Sequence, residues 1–111
     1  SKAQPWLGAD GAYSCALTPQ RKLWLFSDTL VGRVGKMSMP HNSLALEEGG
    51  KMRFVSRQIF TPPGSNKNWY WVYQPVADSV GGADVFLGEF TAVGKGAFNF
   101  RFVRTWLAHL S

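Results

Sequence analysis

The sequence predicts an all-β fold built from antiparallel, blade-like four-stranded meanders. The 12 Gly and 6 Pro residues are spread between short apolar runs, as expected for a chain with many turns. Hydrophobic residues make up 45% and charged residues 17% of the chain, a composition typical of folded globular proteins. Near the C-terminus, aromatic residues occupy every second position, which is the period of a strand with one buried face.

The chain of 111 residues is long enough for one hydrophobic core but short for two. We therefore expect residues 1–111 to form a single domain. Within it we expect a first blade-like unit over residues 1–60 and a second, incomplete unit over residues 69–111. Residues 61–66, with the sequence Thr-Pro-Pro-Gly-Ser-Asn, separate the two because proline is excluded from helix interiors and central strands.

The first unit is predicted to contain two hairpins. Their strands are expected over residues 12–17, 22–27, 41–48 and 51–56. Pro19 presets the first turn, and Gly49-Gly50 is typical of a tight reversal. Residues 32–40, between the hairpins, are expected to form a loop. Residues 43–48 also have a helical alternative, since Ser43 is a good N-cap and Leu-Ala-Leu-Glu-Glu favours helix.

The second unit is predicted to have three strands, over residues 69–73, 84–90 and 97–106. In the last of these, three phenylalanines alternate with Asn99, Arg101 and Val103. We expect one apolar face there, consisting of Phe98, Phe100, Phe102 and Trp106. Such a face would be covered by a further unit or by another copy of the chain.

The charge pattern argues against several functional classes. The net charge is +5, but the basic residues are scattered, which favours a solvated surface over a nucleic-acid footprint.

No apolar run approaches the ~18 residues of a membrane span, and residues 1–5 lack the hydrophobic centre of a signal peptide. If an export signal existed, it has been removed. Cys15 is expected to be a small buried hydrophobe, and no spacing indicates a metal or another cofactor.

Three runs in the first unit are similar to sequences of a known family. The runs are Trp-Leu-Gly-Ala-Asp-Gly-Ala-Tyr-Ser at 6–14, Leu-Trp-Leu-Phe-Ser-Asp-Thr-Leu-Val-Gly at 23–32 and His-Asn-Ser-Leu-Ala-Leu at 41–46. They resemble the first blade of five-bladed β-propeller proteins related to arabinanases and levansucrases. Residues 69–71, 85–87 and 98–110 resemble the second blade, mainly through their aromatic residues. The resemblance implies a partial propeller of about two blades, a glycosidase-like activity on carbohydrate, and a secreted or periplasmic location.

The resemblance also implies that Asp10, just before the first inner strand, points into a central channel as general base or nucleophile. The small Gly and Ala residues on both sides leave room for a sugar ring to approach. In the resembling enzymes the general acid comes from later blades. Related sequences often carry an acidic residue shortly after the tryptophan pair, whereas Trp71 is followed by Val-Tyr-Gln-Pro. Asp78 and Asp84 are the nearest substitutes, but they flank Gly81-Gly82 as turn residues do.

Five further residues are candidates for substrate binding: Trp6, Asp28, His41, Asn42 and Trp71. Asp28 follows a buried strand, where it could either form a turn or support Asp10. His41 and Asn42 could bind a sugar hydroxyl or form a structural pair. Trp6 and Trp71 could stack on sugar faces, as could Trp69, whereas Trp24 and Trp106 are expected in the core.

The sequence therefore favours a glycosidase-like module that handles a carbohydrate, with Asp10 in the central role. The alternative is a non-catalytic, self-assembling module that binds carbohydrate or serves as structure. Two blades leave a sheet edge and a blade face uncovered. We expect a homo-oligomer, or further blades supplied by another chain, to cover them.

Overall fold

The computed structural model describes residues 5–64, 67–96 and 99–111. This part of the chain contains ten β-strands in three antiparallel sheets. In chain order they are β1 Trp6–Ala9, β2 Ala12–Thr18, β3 Arg21–Phe26, β4 Thr29–Arg33, β5 Lys36–Ser38, β6 Ser43–Glu48, β7 Lys51–Val55, β8 Asn68–Ala77, β9 Ala83–Ala92 and β10 Phe100–Leu110. The predicted all-β class is confirmed. Among the described residues, no helix is long and apolar enough to cross a membrane.

The first large sheet is a four-stranded antiparallel meander with the order β2-β3-β6-β7. Both predicted hairpins are present, and Gly49 and Gly50 make the second turn with φ values of 60° and 78°, which suit a tight hairpin turn. The helical alternative for residues 43–48 is wrong. This segment pairs with β3 on one side and β7 on the other, and these ladders outweigh its local helix propensity.

A separate, smaller sheet has the order β1-β4-β5. It corrects the predicted loop at residues 32–40, because β4 continues to Arg33 and β5 runs antiparallel to it. Gly32 makes this narrow hairpin feasible. Its φ is +120°, and a Cβ there would lie 2.2 Å from the Lys36 carbonyl oxygen, so a side chain is excluded.

The second large sheet has three strands in the order β10-β9-β8. The core lies between this sheet and the first, where Leu23 and Leu25 of β3 pack with a group of buried residues from β8 and β9. That group is Tyr70, Val72, Ala83, Val85 and Leu87. Strand β8 lies beside β2, and the Gln74 side-chain amide donates a hydrogen bond to the Ser14 carbonyl oxygen over 2.6 Å. The edge strands of the two large sheets therefore lie next to each other.

A β-bulge in β10 divides the apolar face that the sequence predicts. Phe102 pairs with Phe90 and Arg104 pairs with Glu89, so Val103 is an extra residue and the alternation of faces shifts after it. Phe102 consequently lies on the face that points away from the first sheet. Trp106, which pairs with Leu87, lies on the opposite face.

The prediction of one continuous apolar face is therefore wrong for the described part of β10. Trp106 is also not in the core, since it is 37% exposed, and Phe100 and Phe102 are 37% and 50% exposed. Phe98, the remaining member of that predicted face, lies outside the described residues. Strand β10 thus presents aromatic surface on both sides of its sheet.

Candidate functional site

A cavity of about 290 Å³ lies where the β1–β2 and β3–β4 turns meet strand β8. We call it the inner cavity. Its lining residues are Asp10, Gly11, Tyr13, Ser27, Asp28, Trp71, Val72 and Tyr73. A larger cavity, of about 720 Å³, lies between β5 and the end of β7. None of the six predicted site residues lines that larger cavity, so the inner cavity is the candidate site.

Asp10 and Asp28 are placed side by side through the backbone of their two turns. The Asp10 N–H donates to the Asp28 carbonyl oxygen, and the Ser27 N–H donates to the Asp10 carbonyl oxygen, each over 2.9 Å. Gly11, with a φ of +62°, reverses the chain directly after Asp10 in a conformation that suits glycine. Both carboxylates therefore line one cavity, and the Asp10 side chain is exposed to solvent.

The Asp28 carboxylate is held by a residue of β8 and by a residue of the segment between β5 and β6. Its Oδ1 accepts a hydrogen bond from Trp71 Nε1 over 2.7 Å and lies 2.9 Å from His41 Nδ1. Partial burial raises the pKa of Asp28, but the hydrogen bonds from His41 and Trp71 and the charge of His41 outweigh it, so the pKa lies below its ordinary value. Asp28 is therefore an anion at neutral pH.

His41 supports this arrangement from outside the cavity lining. Its ring stacks on Trp69 with 4.9 Å between centroids and 20° between planes. Its backbone N–H donates to Gln58 Oε1 over 3.0 Å. The contact of its Nδ1 with Asp28 makes His41 a link between Asp28 and the aromatic residues of β8.

Asn42 and Trp6 lie apart from the inner cavity. The Asn42 side chain is fully buried, and its amide group bonds only to backbone groups. Those groups are the N–H groups of Ile59 and Phe60 and the carbonyl oxygens of Phe60 and Tyr70. Trp6 donates to Ser43 Oγ over 3.2 Å and stacks on Phe54 at 4.2 Å. Both side chains are engaged in contacts within the chain.

Three cavity residues that carry side-chain hydroxyl groups were not among the predicted site residues: Tyr13, Ser27 and Tyr73. Ser27 Oγ accepts a hydrogen bond from the Val72 N–H over 3.2 Å, which ties the β3–β4 turn to β8. Tyr73 lies close over Gly88, since a Cβ on that glycine would be 2.7 Å from Tyr73 Oη. A glycine inside a strand often marks such a close approach. Gly88 was therefore the sequence signal that could have indicated a neighbouring side chain here.

Glu89 is a buried carboxylate that the sequence did not indicate. It is only 5% exposed and accepts hydrogen bonds from Asn68 Nδ2 over 2.6 Å and Trp106 Nε1 over 2.7 Å. These two bonds hold the pKa of Glu89 below its ordinary value, and the bond from Asn68 has the larger effect. Because Glu89 pairs with Tyr70 in the ladder, it lies on the face toward the first sheet. Its contacts make it a structural anion within the second sheet.

Asp78 behaves as the turn residue that its neighbours predict. Its Oδ1 accepts from the N–H groups of Val80 and Gly82 over 2.8 and 2.9 Å. Asp84 lies at the same end of the sheet as Asp78, and its Oδ1 is 2.8 Å from His109 Nδ1. Neither aspartate lines the inner cavity, so Asp28 is the carboxylate that accompanies Asp10 there.

The strands and the cavity define the class of this molecule: an antiparallel all-β protein of blade-like sheets with two aspartates beside aromatic rings. Its fold is similar to that of a protein from Bacteroides ovatus ATCC 8483 described as a "putative hydrolase", with a TM-score of 0.80 over 97% of this chain and 17% sequence identity. This chain spans 36% of the length of that protein. At this identity the likeness is one of fold.

The chain belongs to the family described as domain of unknown function DUF5005, whose model matches residues 1–111. No curated protein matches it. The fold comparison bears out the all-β class that the resemblance implies.

Proposed function

We propose that this chain is a glycosidase-like, carbohydrate-active β-propeller module, and that Asp10 acts in it as general base or nucleophile. The observation that carries the proposal is the meeting of Asp10, Asp28 and Trp71 in one open cavity. Sugar sites commonly combine carboxylates, which accept hydrogen bonds from hydroxyl groups, with aromatic rings, which pack on the apolar face of the sugar. The fold shared with a protein described as a hydrolase supports the same class.

The two carboxylates of the cavity suit different roles. Asp10 is exposed and therefore accessible to an anomeric carbon or to a water molecule. Asp28 is kept ionised by its hydrogen bonds, so at neutral pH it does not donate a proton to a leaving group. Glycoside hydrolysis also needs a protonated carboxylic acid, about 5 Å from the first carboxylate for retention or ~6.5–9.5 Å for inversion. We infer that further blades or another copy of the chain contribute this acid.

The exposed aromatic face of the second sheet supports the expected partners, namely further blades or further copies of this chain. Phe90, Phe100 and Trp71 pack against one another on that face, and Phe102 beside them is half exposed. An uncovered aromatic surface of this kind favours association.

We expect the chain alone to self-associate, because burial of the Phe102 face removes apolar area from water. The substitution Phe102→Lys should lower the association constant at least about tenfold, since it places a charge in that apolar contact. Sedimentation equilibrium over a range of concentrations measures the effect. Val34→Lys is the matched control, because Val34 is fully exposed in the β4–β5 turn. If the wild-type chain stays monomeric at every concentration, self-association is contradicted. Further blades would then be the partner that covers the Phe102 face.

The alternative function, a non-catalytic self-assembling carbohydrate-binding or structural module, follows from the same two features. The aromatic face provides the surface for assembly, and Asp28, which its hydrogen bonds keep ionised, does not supply the protonated acid. Such a module would bind a glycan in the inner cavity without breaking it.

A glycan panel separates the two functions. The full chain is incubated with neutral and acidic oligosaccharides, while released reducing ends and binding are measured together. Hydrolysis supports the glycosidase-like module, and binding without turnover supports the alternative. The absence of both hydrolysis and binding would overturn both carbohydrate functions. Binding to nucleic acid that falls steeply with salt would then support a nucleic-acid binder.

A further inference from the structure

The inner cavity is anionic in a chain that carries a net charge of +5. Asp10 and Asp28 both line it, and no lysine or arginine is among its lining residues in the described part of the chain. The imidazole nearest to it, that of His41, is already engaged by Asp28 Oδ1. A negatively charged ligand group would therefore meet two carboxylates with no cation to offset them.

The hydrogen bonds of Asp28 leave half of its carboxylate free for a ligand. Those from His41 and Trp71 both end on Oδ1. Among the described residues, Oδ2 has no hydrogen-bond partner, and the Asp28 side chain is 31% exposed. The two hydrogen bonds to Oδ1 fix the orientation of the Asp28 carboxylate. Its Oδ2 remains as an acceptor for hydroxyl groups, which bind strongly to an ionised carboxylate.

We propose that the inner cavity selects uncharged sugar rings over sugars that carry a carboxylate or sulfate, and that Asp28 sets this preference. The proposal rests on the carbohydrate function proposed above and names the substrate class of that same site. Discrimination between ligands often depends on a repulsive element in addition to attractive ones. Here one carboxylate supplies both, since it accepts from hydroxyl groups and repels anions.

The charge of Asp28 persists under ordinary conditions. Hydrogen bonding to the carboxylate form keeps the group ionised at pH 7, and its partial burial reduces the screening that salt exerts on fully exposed charges. Like charges brought together at a binding site are strongly unfavourable. We therefore expect the preference to remain at physiological ionic strength.

The test uses methyl glycosides in pairs that differ only at C6: glucoside with glucuronide, galactoside with galacturonide, and mannoside with mannuronide. Affinities of the full chain are measured by NMR titration at pH 7. In every pair that binds, the neutral member is expected to bind at least about tenfold more tightly. Equal affinities, or a preference for the acidic member, would overturn the selectivity and leave carbohydrate binding intact. If no pair binds, the proposed function fails and the selectivity fails with it.

The variant Asp28→Asn isolates the role of the charge. Asparagine has nearly the same shape, and its side-chain oxygen still accepts from Trp71, so the geometry is retained while the anion is removed. The neutral-to-acidic affinity ratio is expected to fall to about threefold or less. Asp84→Asn, which removes a carboxylate outside the cavity, should leave the ratio unchanged. An unchanged ratio in a folded Asp28→Asn protein would overturn the assignment to Asp28.

Discussion

The substitution Asp10→Asn is expected to lower the rate of glycan hydrolysis about 10³-fold or more. Asparagine neither accepts a proton from water nor attacks an anomeric carbon at a useful rate, so the loss falls on the chemical step. The turn itself should survive, because the structure holds Asp10 through its main-chain N–H and carbonyl groups. Affinity for the glycan should therefore change by only about threefold.

The measurement is kcat and KM on a hydrolysed glycan, with binding determined separately. A fall in kcat at nearly constant affinity assigns Asp10 to the reacting atoms. Asp84→Asn is the matched control, since it removes a carboxylate far from the inner cavity, and its kcat should stay near that of the wild type. Hydrolysis by Asp10→Asn within tenfold of the wild-type rate would contradict the assigned role.

Much of the fold could be predicted because its strands are encoded locally. The turn at Gly49-Gly50 and the apolar runs on both sides of Pro19 indicate hairpins regardless of what surrounds them. The β4–β5 hairpin could not be predicted in the same way. Its strands are short, and β4 also pairs with β1, a segment whose partners lie 20 to 25 residues away in the sequence.

The β10 bulge shows a second limit of periodicity. The alternation of Phe100 and Phe102 predicts a strand correctly, but one extra residue at Val103 moves Trp106 to the opposite face. The sequence carries no mark of this shift, because β-branched valine fits a regular strand equally well. The register is visible only in the pairing of β10 with β9.

The candidate site could likewise be predicted only in part. The resemblance pointed to Asp10, and the structure places it beside Asp28 and Trp71 in one cavity. The hydrogen bond between Asp28 and Trp71 joins residues 43 positions apart, so no local pattern could pair them. Asn42 is the opposite case, a candidate that the structure removes from the site. Its polar side chain at the start of a strand suggested ligand binding, but its amide bonds to backbone groups.

Asn42 holds the segment between the two large sheets in place. Its Oδ1 accepts from the N–H groups of Ile59 and Phe60 over 2.9 and 2.8 Å. Its Nδ2 donates to the carbonyl oxygens of Phe60 and Tyr70 over 2.9 and 3.0 Å. One buried side chain thus satisfies four backbone groups. One of them belongs to Tyr70, the neighbour of Trp71 on the strand that forms one wall of the inner cavity.

The substitution Asn42→Ala is expected to lower the free energy of unfolding by about 3 kcal/mol or more, because each buried polar group left without a partner costs about 1–3 kcal/mol. Urea denaturation followed by tryptophan fluorescence measures the change. Asn99→Ala is the matched control. Asn99 is exposed, and its side-chain amide bonds, within the described part of the chain, only to the Lys95 carbonyl oxygen, so the expected loss is below about 0.5 kcal/mol. Equal stability of the two variants would mean that the backbone around residues 59–60 is held without the Asn42 amide. A loss of about 3 kcal/mol or more in Asn42→Ala alone would confirm that these hydrogen bonds hold β8 and residues 59–60 in the folded state.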